Sequence, residues 1–256
     1  MHGLQAPPLL TLRGVSKRFP TGTLAVEGVD LSLARGDFLA LLGPSGCGKS
    51  TLLRMIAGLI EPTAGEISFP ADREARRSIG FVFQEPTLMP WATALRNVAL
   101  PLELSGMRRR QAEERAAAML QRVGLAGFER AYPRALSGGM KMRVSIARAL
   151  VTNPRLLLMD EPFAALDEIT RFRLNNDLLA LWQAERFTVV FVTHSVFESV
   201  FLAERIVVMA PRPGRIVAEL RIPPEDRALP EFRTSATYAA HCREVSHALE
   251  RAMAEG

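Results

Sequence analysis

Eight consecutive residues, Gly43-Pro44-Ser45-Gly46-Cys47-Gly48-Lys49-Ser50, fit the pattern G-x-x-x-x-G-K-[ST] without a mismatch. Glycines let such a loop wrap a phosphate chain closely enough for successive backbone N–H groups to donate to it. Lys49 can then reach the β- and γ-phosphates, and the Ser50 hydroxyl can bind Mg²⁺. The pattern carries weight only between a strand and a helix. Both are present: Phe38-Leu39-Ala40-Leu41-Leu42 is an apolar run of strand length, and Thr51 to Ala57 has helical periodicity. The helix N-terminus adds roughly half a positive charge aimed at the same anion. A chance match in a chain of this length is on the order of one in a hundred. The expected ligand is a nucleoside triphosphate.

A second set of chemical groups lies further on. Leu136-Ser137-Gly138-Gly139-Met140 introduces a helical run from Lys141 to Leu150, which must end near Asn153-Pro154. Leu156-Leu157-Leu158-Met159-Asp160-Glu161-Pro162 then reads as a buried strand closed by two acids. The C-terminal edge of a parallel strand is where such sheets bind ligands. There Asp160 can hold a water on Mg²⁺ while Glu161 orients and deprotonates an attacking water. Taken alone, an acid pair at a strand end is usually just solvated.

The combination resembles the nucleotide-binding subunit of an ABC transporter. Such proteins share a phosphate loop, a glutamine loop, an L-S-G-G signature, an acid-ended strand, an A-L-D loop and a switch histidine. The sequence supplies them in that order: Gly43–Ser50, Gln84 in Phe81-Val82-Phe83-Gln84-Glu85-Pro86, Leu136–Gly139, Asp160-Glu161, Ala165-Leu166-Asp167, and His194 in Val192-Thr193-His194. The resemblance extends over nearly the whole chain. It implies ATP and Mg²⁺ as cofactors, with Ser50, Gln84 and, through water, Asp160 around the metal. Gly43 to Ser50 together with Thr51 would hold ATP, and Glu161, His194, Lys49 and Gln84 would carry catalysis. Phe19 matches the aromatic that stacks on adenine; without the resemblance it reads as a core residue on an edge strand. His194 alone would read as a satisfied core histidine, and Gln84 alone as a surface residue.

The resemblance also implies partners. Two subunits pack head to tail, so that Ser137, Gly138 and Gly139 cap the γ-phosphate held by the other copy, with Asp167 in the adjoining loop. Permease subunits, and indirectly a periplasmic or surface solute-binding protein, complete the assembly at the cytoplasmic face of the inner (plasma) membrane. Val82-Phe83-Gln84-Glu85-Pro86 leading to Leu88-Met89-Pro90-Trp91 is similar to the nitrate, sulfonate and taurine importers, as is Phe201–Met209 running into Pro211-Arg212-Pro213-Gly214-Arg215-Ile216. Leu88, Met89 and Trp91 fall where permease helices dock in that family, although Trp91 could equally be packed inside. Importers of pyrimidine precursors share similar patterns. Non-transport ABC proteins usually carry two ATPase units or a long coiled coil, and neither is present. A module that binds ATP without hydrolysing it is disfavoured by Glu161 and His194. Four positions depart from the usual pattern: Phe19 for tyrosine, Met142 for glutamine, Ala164 for serine or glycine, and Ser195 for aspartate.

The elements that must position these groups follow from the pattern. The alternation of strands and helices gives an α/β fold class with a mostly parallel sheet covered by helices on both faces; the resemblance implies a phosphate-loop NTPase with a RecA-like core and an antiparallel N-terminal β part. Core segments 9–85 and 155–222 flank an inserted helical subdomain, 86–154, that carries the signature. Residues 223–256 form a tail whose Tyr238, Cys242, Val245, Leu249 and Met253 make one apolar helical stripe, expected to pack on its own core. The 256 residues carry a net charge of +5, but only Arg108-Arg109-Arg110 clusters, so nucleic acid is not an expected partner. No apolar stretch reaches the roughly 18–20 residues that span a bilayer. Met1 to Leu10 lacks the layout of a secretory signal. The two cysteines, Cys47 and Cys242, imply no disulfide framework.

Overall fold

Apolar and polar residues alternate along β1 (Leu10–Arg18) and β2 (Leu24–Leu33), and the two strands bury one face each: Leu10, Leu12 and Val15 on the first, Val26, Val29, Leu31 and Leu33 on the second. In the computed structural model, which describes residues 7–70, 78–227 and 231–254, they pair antiparallel. After β3 (Phe38–Leu42) and α1 (Lys49–Ile56), β4 (Ala64–Ser68) adds antiparallel to the other edge of β1. The chain continues through β5 (Ile79–Val82), α2 (Ala94–Leu104), α3 (Arg109–Arg122), α4 (Gly138–Leu150), β6 (Leu156–Asp160) and α5 (Glu168–Glu185). It closes with β7 (Thr188–Thr193), α6 (Val196–Leu202), β8 (Arg205–Ala210), β9 (Arg215–Arg221), α7 (Pro224–Arg227) and α8 (Ala236–Ala254). These elements form two compact units. One comprises the described residues of Met1–Arg77 and Arg186–Gly256, the other Ser78–Glu185.

In the first unit β3 is hydrogen-bonded in parallel to β7 on one side and to β8 on the other. Every residue of β3 and β7 is buried, the mark of parallel strands covered on both faces. β9 closes this sheet antiparallel to β8 and alternates exposed with half-buried residues, as a strand solvated on one side does. α1 ends in a Schellman motif: Gly58, at φ 72°, donates to Met55 O at 3.0 Å, and Leu59 donates to Arg54 O at 2.9 Å. α8 packs on α6 and β8, as expected of the tail helix, but its stripe is rotated from the apolar one. Tyr238, Cys242, Val245, Ala248 and Ala252 are buried, while Leu249 is half-buried and Met253 is exposed. Alanines let the helix approach its neighbours closely, and the longer side chains fall at the margin.

In the second unit β5 and β6 pair in parallel, with Ile79 opposite Leu156 and Val82 opposite Met159. α2 lies against α3 and α4. The arginine cluster is spent along α3, where Arg109 pairs with Glu113 at 2.9 Å and Arg110 with Glu114 at 3.2 Å, one turn apart. Among the described residues no helix is long and apolar enough to cross a membrane. Met1–Ala6, the greater part of the segment read for a signal, lie outside the described residues.

Candidate functional site

β3 delivers the chain to Gly43, and the loop to Gly48 returns it into α1 at Lys49. Gly46 and Gly48 have φ of 79° and 95°, left-handed values that cost a residue with a Cβ. Space is short as well as angle. A Cβ on Gly48 would lie 2.5 Å from Ala25 O, and one on Gly43 would lie 2.7 Å from Met209 O. The Lys49 ammonium is buried beneath the loop and donates to Gly43 O at 2.8 Å and Pro44 O at 3.0 Å. Cys47 is buried beside it, with Sγ 3.8 Å from the ammonium. Burial pushes its thiol pKa up while Lys49 pulls it back, leaving a net rise, so the thiol is protonated and inert at neutral pH.

One flank of the loop is walled by the start of β2 and by the β8–β9 turn. Gly214 donates to Ala25 O at 3.0 Å and accepts from Glu27 N–H at 3.0 Å, and a side chain on Gly214 would collide with Cys47 O. Here Thr23, Leu24, Ala25, Gly46, Arg212 and Pro213 line a cavity of about 370 Å³, within the size range of small-molecule sites. Phe19 stands in the β1–β2 turn, where its N–H donates to Thr23 O at 2.9 Å. It is half-buried rather than a core residue, and the Lys17 ammonium lies 5.6 Å from its ring centre. His194 leaves β7 beside the loop, because the register places Thr193 opposite Leu42, the residue before Gly43. The first unit thus brings Phe19, Gly43–Thr51 and His194 to one end of its parallel strands.

The second unit gathers the other candidates. Gln84 and Glu161 each lie two residues beyond a matched pair, Val82 and Met159, so they leave neighbouring parallel strands at the same level. Asp160 is buried as the last residue of β6. Glu161 follows at φ 44°, a left-handed conformation that a carboxylate side chain occupies only where its surroundings impose it. Asp167 Oδ1 accepts Thr170 N–H at 2.9 Å, and that bond holds its carboxyl below the usual range. Ser137 caps α4 by accepting Met140 N–H at 3.3 Å. A Cβ on Gly139 would lie 2.5 Å from Thr170 Cγ2, and one on Gly138 would lie 3.4 Å from Leu166 Cδ2. At Gly139 only glycine lets the first turn of α4 lie so near α5, whereas the contact at Gly138 is ordinary van der Waals packing against the A-L-D loop. Ser137 and Gly138 themselves are exposed.

Several supporting residues were not expected from the sequence. Arg148 on α4 donates to Pro86 O at 2.9 Å, Thr87 O at 2.9 Å and Thr87 Oγ1 at 3.0 Å, holding the segment after Gln84, where Thr87 has φ 45°. Buried Asn97 accepts Met89 N–H, and its amide nitrogen shares two protons among the carbonyls of Met89, Ala92 and Thr93. With the loop knotted in this way, Trp91 is 76% exposed rather than packed, while Leu88 and Met89 are half-buried. No spacing rule marks either residue: Arg148 meets a segment about sixty residues earlier, and Asn97 acts through the particular path of the loop just before it. Of the departures, Met142 is buried inside α4 and Ser195 caps α6 by accepting Glu198 N–H at 3.3 Å.

A left-handed glycine loop between a buried parallel strand and a helix, with a lysine ammonium seated under it, defines a phosphate-loop nucleotide-binding protein. Residues 26–164, just over half of the chain, match the family described as ABC transporter. The chain belongs to the ABC transporter family, as an ATP-hydrolysing subunit. It is 48% identical to an uncharacterised ABC transporter ATP-binding protein of Methanocaldococcus jannaschii, over 88% of this chain and 84% of that one. It is 41% identical to an aliphatic sulfonates import ATP-binding protein of Bacillus cereus, over 94% of this chain and 96% of the relative. Among solved structures, a dimeric ATP-binding cassette in a post-hydrolysis state with ADP and Pi superposes with a TM-score of 0.74 at 35% identity, covering 84% of this chain and 99% of that one.

Proposed function

We propose that two copies of this chain bind ATP head to tail and that its hydrolysis drives uptake of a sulfonate-type anion through permease subunits. The exposed pair Ser137-Gly138 at the head of α4 carries the head-to-tail reading. A helix start with free N–H groups, a capping hydroxyl and no Cβ on the next residue is suited to receive a phosphate. In this reading Ser137, Gly138 and Gly139 close over the γ-phosphate held by the other copy, and Asp167 holds the adjoining loop. Lys49 neutralises the β- and γ-phosphates and the backbone of Gly43 to Thr51 cradles them. The nucleoside lies toward the cavity at Thr23–Ala25, with adenine on Phe19.

Ser50, Gln84 and water-bridged Asp160 offer an all-oxygen donor set, the kind Mg²⁺ takes. The metal would offset phosphate charge during transfer. Glu161 accepts the proton of the attacking water, and His194 contacts the γ-phosphate. Segments 9–85 and 155–222 act as the nucleotide core, 86–154 as the signature-bearing subdomain and 223–256 as the tail. The subunit sits at the cytoplasmic face of the inner (plasma) membrane and meets a solute-binding protein only through the permease. Exposed Trp91, beside Leu88 and Met89, supports a docking role for that loop.

The solute class rests on the import relative and is tested with the assembled transporter. The chain is copurified with its permease and binding protein, and ATPase activity is measured with alkanesulfonates, taurine, nitrate and pyrimidines. Stimulation by the sulfonates is expected. Stimulation by a pyrimidine alone would replace the sulfonate reading and leave the ATPase reading intact.

A further inference from the structure

His194 lies between two residues whose polar groups are tied to each other. Thr193 and Glu198 are 1% and 7% exposed. The Thr193 hydroxyl donates to Glu198 Oε2 at 2.5 Å and accepts Ser195 N–H at 3.0 Å. Ser195 Oγ accepts Glu198 N–H at 3.3 Å, closing a ring of three hydrogen bonds around position 194. A hydroxyl has one proton to give and lone pairs to accept with. The carboxylate takes the proton and the Ser195 amide takes a lone pair, so the ring has one sense.

The spacing Ser195-x-x-Glu198 is that of a capping box, in which the glutamate returns to the N–H of its own cap residue. Here the Thr193 hydroxyl is inserted between them. That makes β7, the turn at His194 and α6 one hydrogen-bonded unit instead of capping the helix alone. A carboxylate is costly to bury unless it is hydrogen-bonded, and this one is buried where the backbone on both sides of His194 is fixed while residue 194 itself is exposed. The tail braces the same helix from outside. The Tyr238 hydroxyl donates to Phe197 O at 2.9 Å, and the Arg233 guanidinium stacks 3.8 Å from the Phe201 ring centre.

We propose that Glu198 is a positioning residue for ATP hydrolysis: through the Thr193 hydroxyl, its carboxylate sets the direction in which His194 leaves β7. The inference rests on His194 acting at the γ-phosphate. Thr193→Val removes the hydroxyl at constant shape, Thr193→Ser keeps it, and Glu198→Gln keeps the volume while weakening the acceptor. Each is measured as steady-state and single-turnover ATPase in the full chain, alone and combined with His194→Ala. Thr193→Val and Glu198→Gln are expected to lower kcat by about tenfold to a hundredfold, the scale of a displaced reacting group, with KM for ATP nearly unchanged. Thr193→Ser should restore kcat. In the His194→Ala background neither change should lower the residual rate further, because residues acting through one group are not additive. A full kcat in Thr193→Val, or an equal loss with and without His194, overturns the inference. Near-normal turnover in His194→Ala alone would instead remove the catalytic reading of that histidine, and the inference with it.

Discussion

Glu161 combines three features at one residue: it is the first residue beyond a buried parallel strand, follows a buried aspartate and holds a left-handed backbone conformation. That is where a base aimed at water belongs. Glu161→Gln is expected to keep ATP binding and to lose at least about a hundredfold in hydrolysis, within the ~10²–10⁴ that general-base catalysis contributes. With γ-phosphate retained, an ATP-dependent dimer should appear in size-exclusion chromatography. Normal turnover in this variant would dismiss Glu161 as the base. Lys49 and His194 should fail differently. The Lys49 ammonium is buried under the loop carbonyls; in the proposed role it neutralises phosphate in the ground state as well as the transition state, so Lys49→Ala should weaken ATP binding. His194→Ala should leave affinity within about tenfold while catalysis collapses, the pattern of a contact made during attack. Fluorescent-nucleotide titration separates the two; equal affinity losses would sink the distinction.

At the scale of elements, the informative contact is that of α4 with the segment entering α5. Gly139 faces Thr170 Cγ2 with no room for a methyl group, and Asp167 caps that segment. Gly139→Ala is expected to destabilise the chain by roughly 1–3 kcal/mol, the usual cost of overpacking, read as a lower Tm. Adding Thr170→Ala removes the opposing methyl and should recover most of the loss. If the double variant is no more stable than Gly139→Ala, the close approach of the two segments is not what demands the glycine. Ser137 matters at the same scale, because a cap contributes about 1 kcal/mol to its helix besides any contact its hydroxyl makes with phosphate.

At the scale of the whole molecule, the question is which copy a signature serves. Two tandem fusions of this chain, each carrying one Lys49→Ala and one Ser137→Arg, decide it. With the changes on different halves, trans assembly spoils one site twice and leaves the other intact. With both on one half, it spoils one loop and the opposing signature, so neither site survives. Loss of the Ser137 cap burdens both fusions equally and cancels from the comparison. The expected result is higher ATPase activity when the changes lie on different halves. Higher activity with both changes on one half would refute the head-to-tail arrangement.

Much of this protein was legible in its residues. Phe38–Leu42 is a strand in the structure with the bounds that its apolar run gave, and the run from Leu156 is a strand that stops at Asp160 and leaves Glu161 outside, because a parallel strand buried on both faces must be continuously apolar. The glycine loop, the signature and the order of the motifs are local patterns too, and the family follows from them. Tertiary structure decided what those patterns rest against. Ala25 O and Met209 O, from opposite ends of the chain, make Gly48 and Gly43 obligatory. Asn97 ties the loop that leaves Trp91 in solvent. Thr193 takes up the carboxylate that a local capping rule would have returned to Ser195. Periodicity alone also placed the stripe of α8 on Leu249 and Met253, whereas the packed helix buries the small side chains of Ala248 and Ala252 in their stead. Sequence encodes which residues face inward over a few turns; which atoms they meet there is set by segments that only folding brings together.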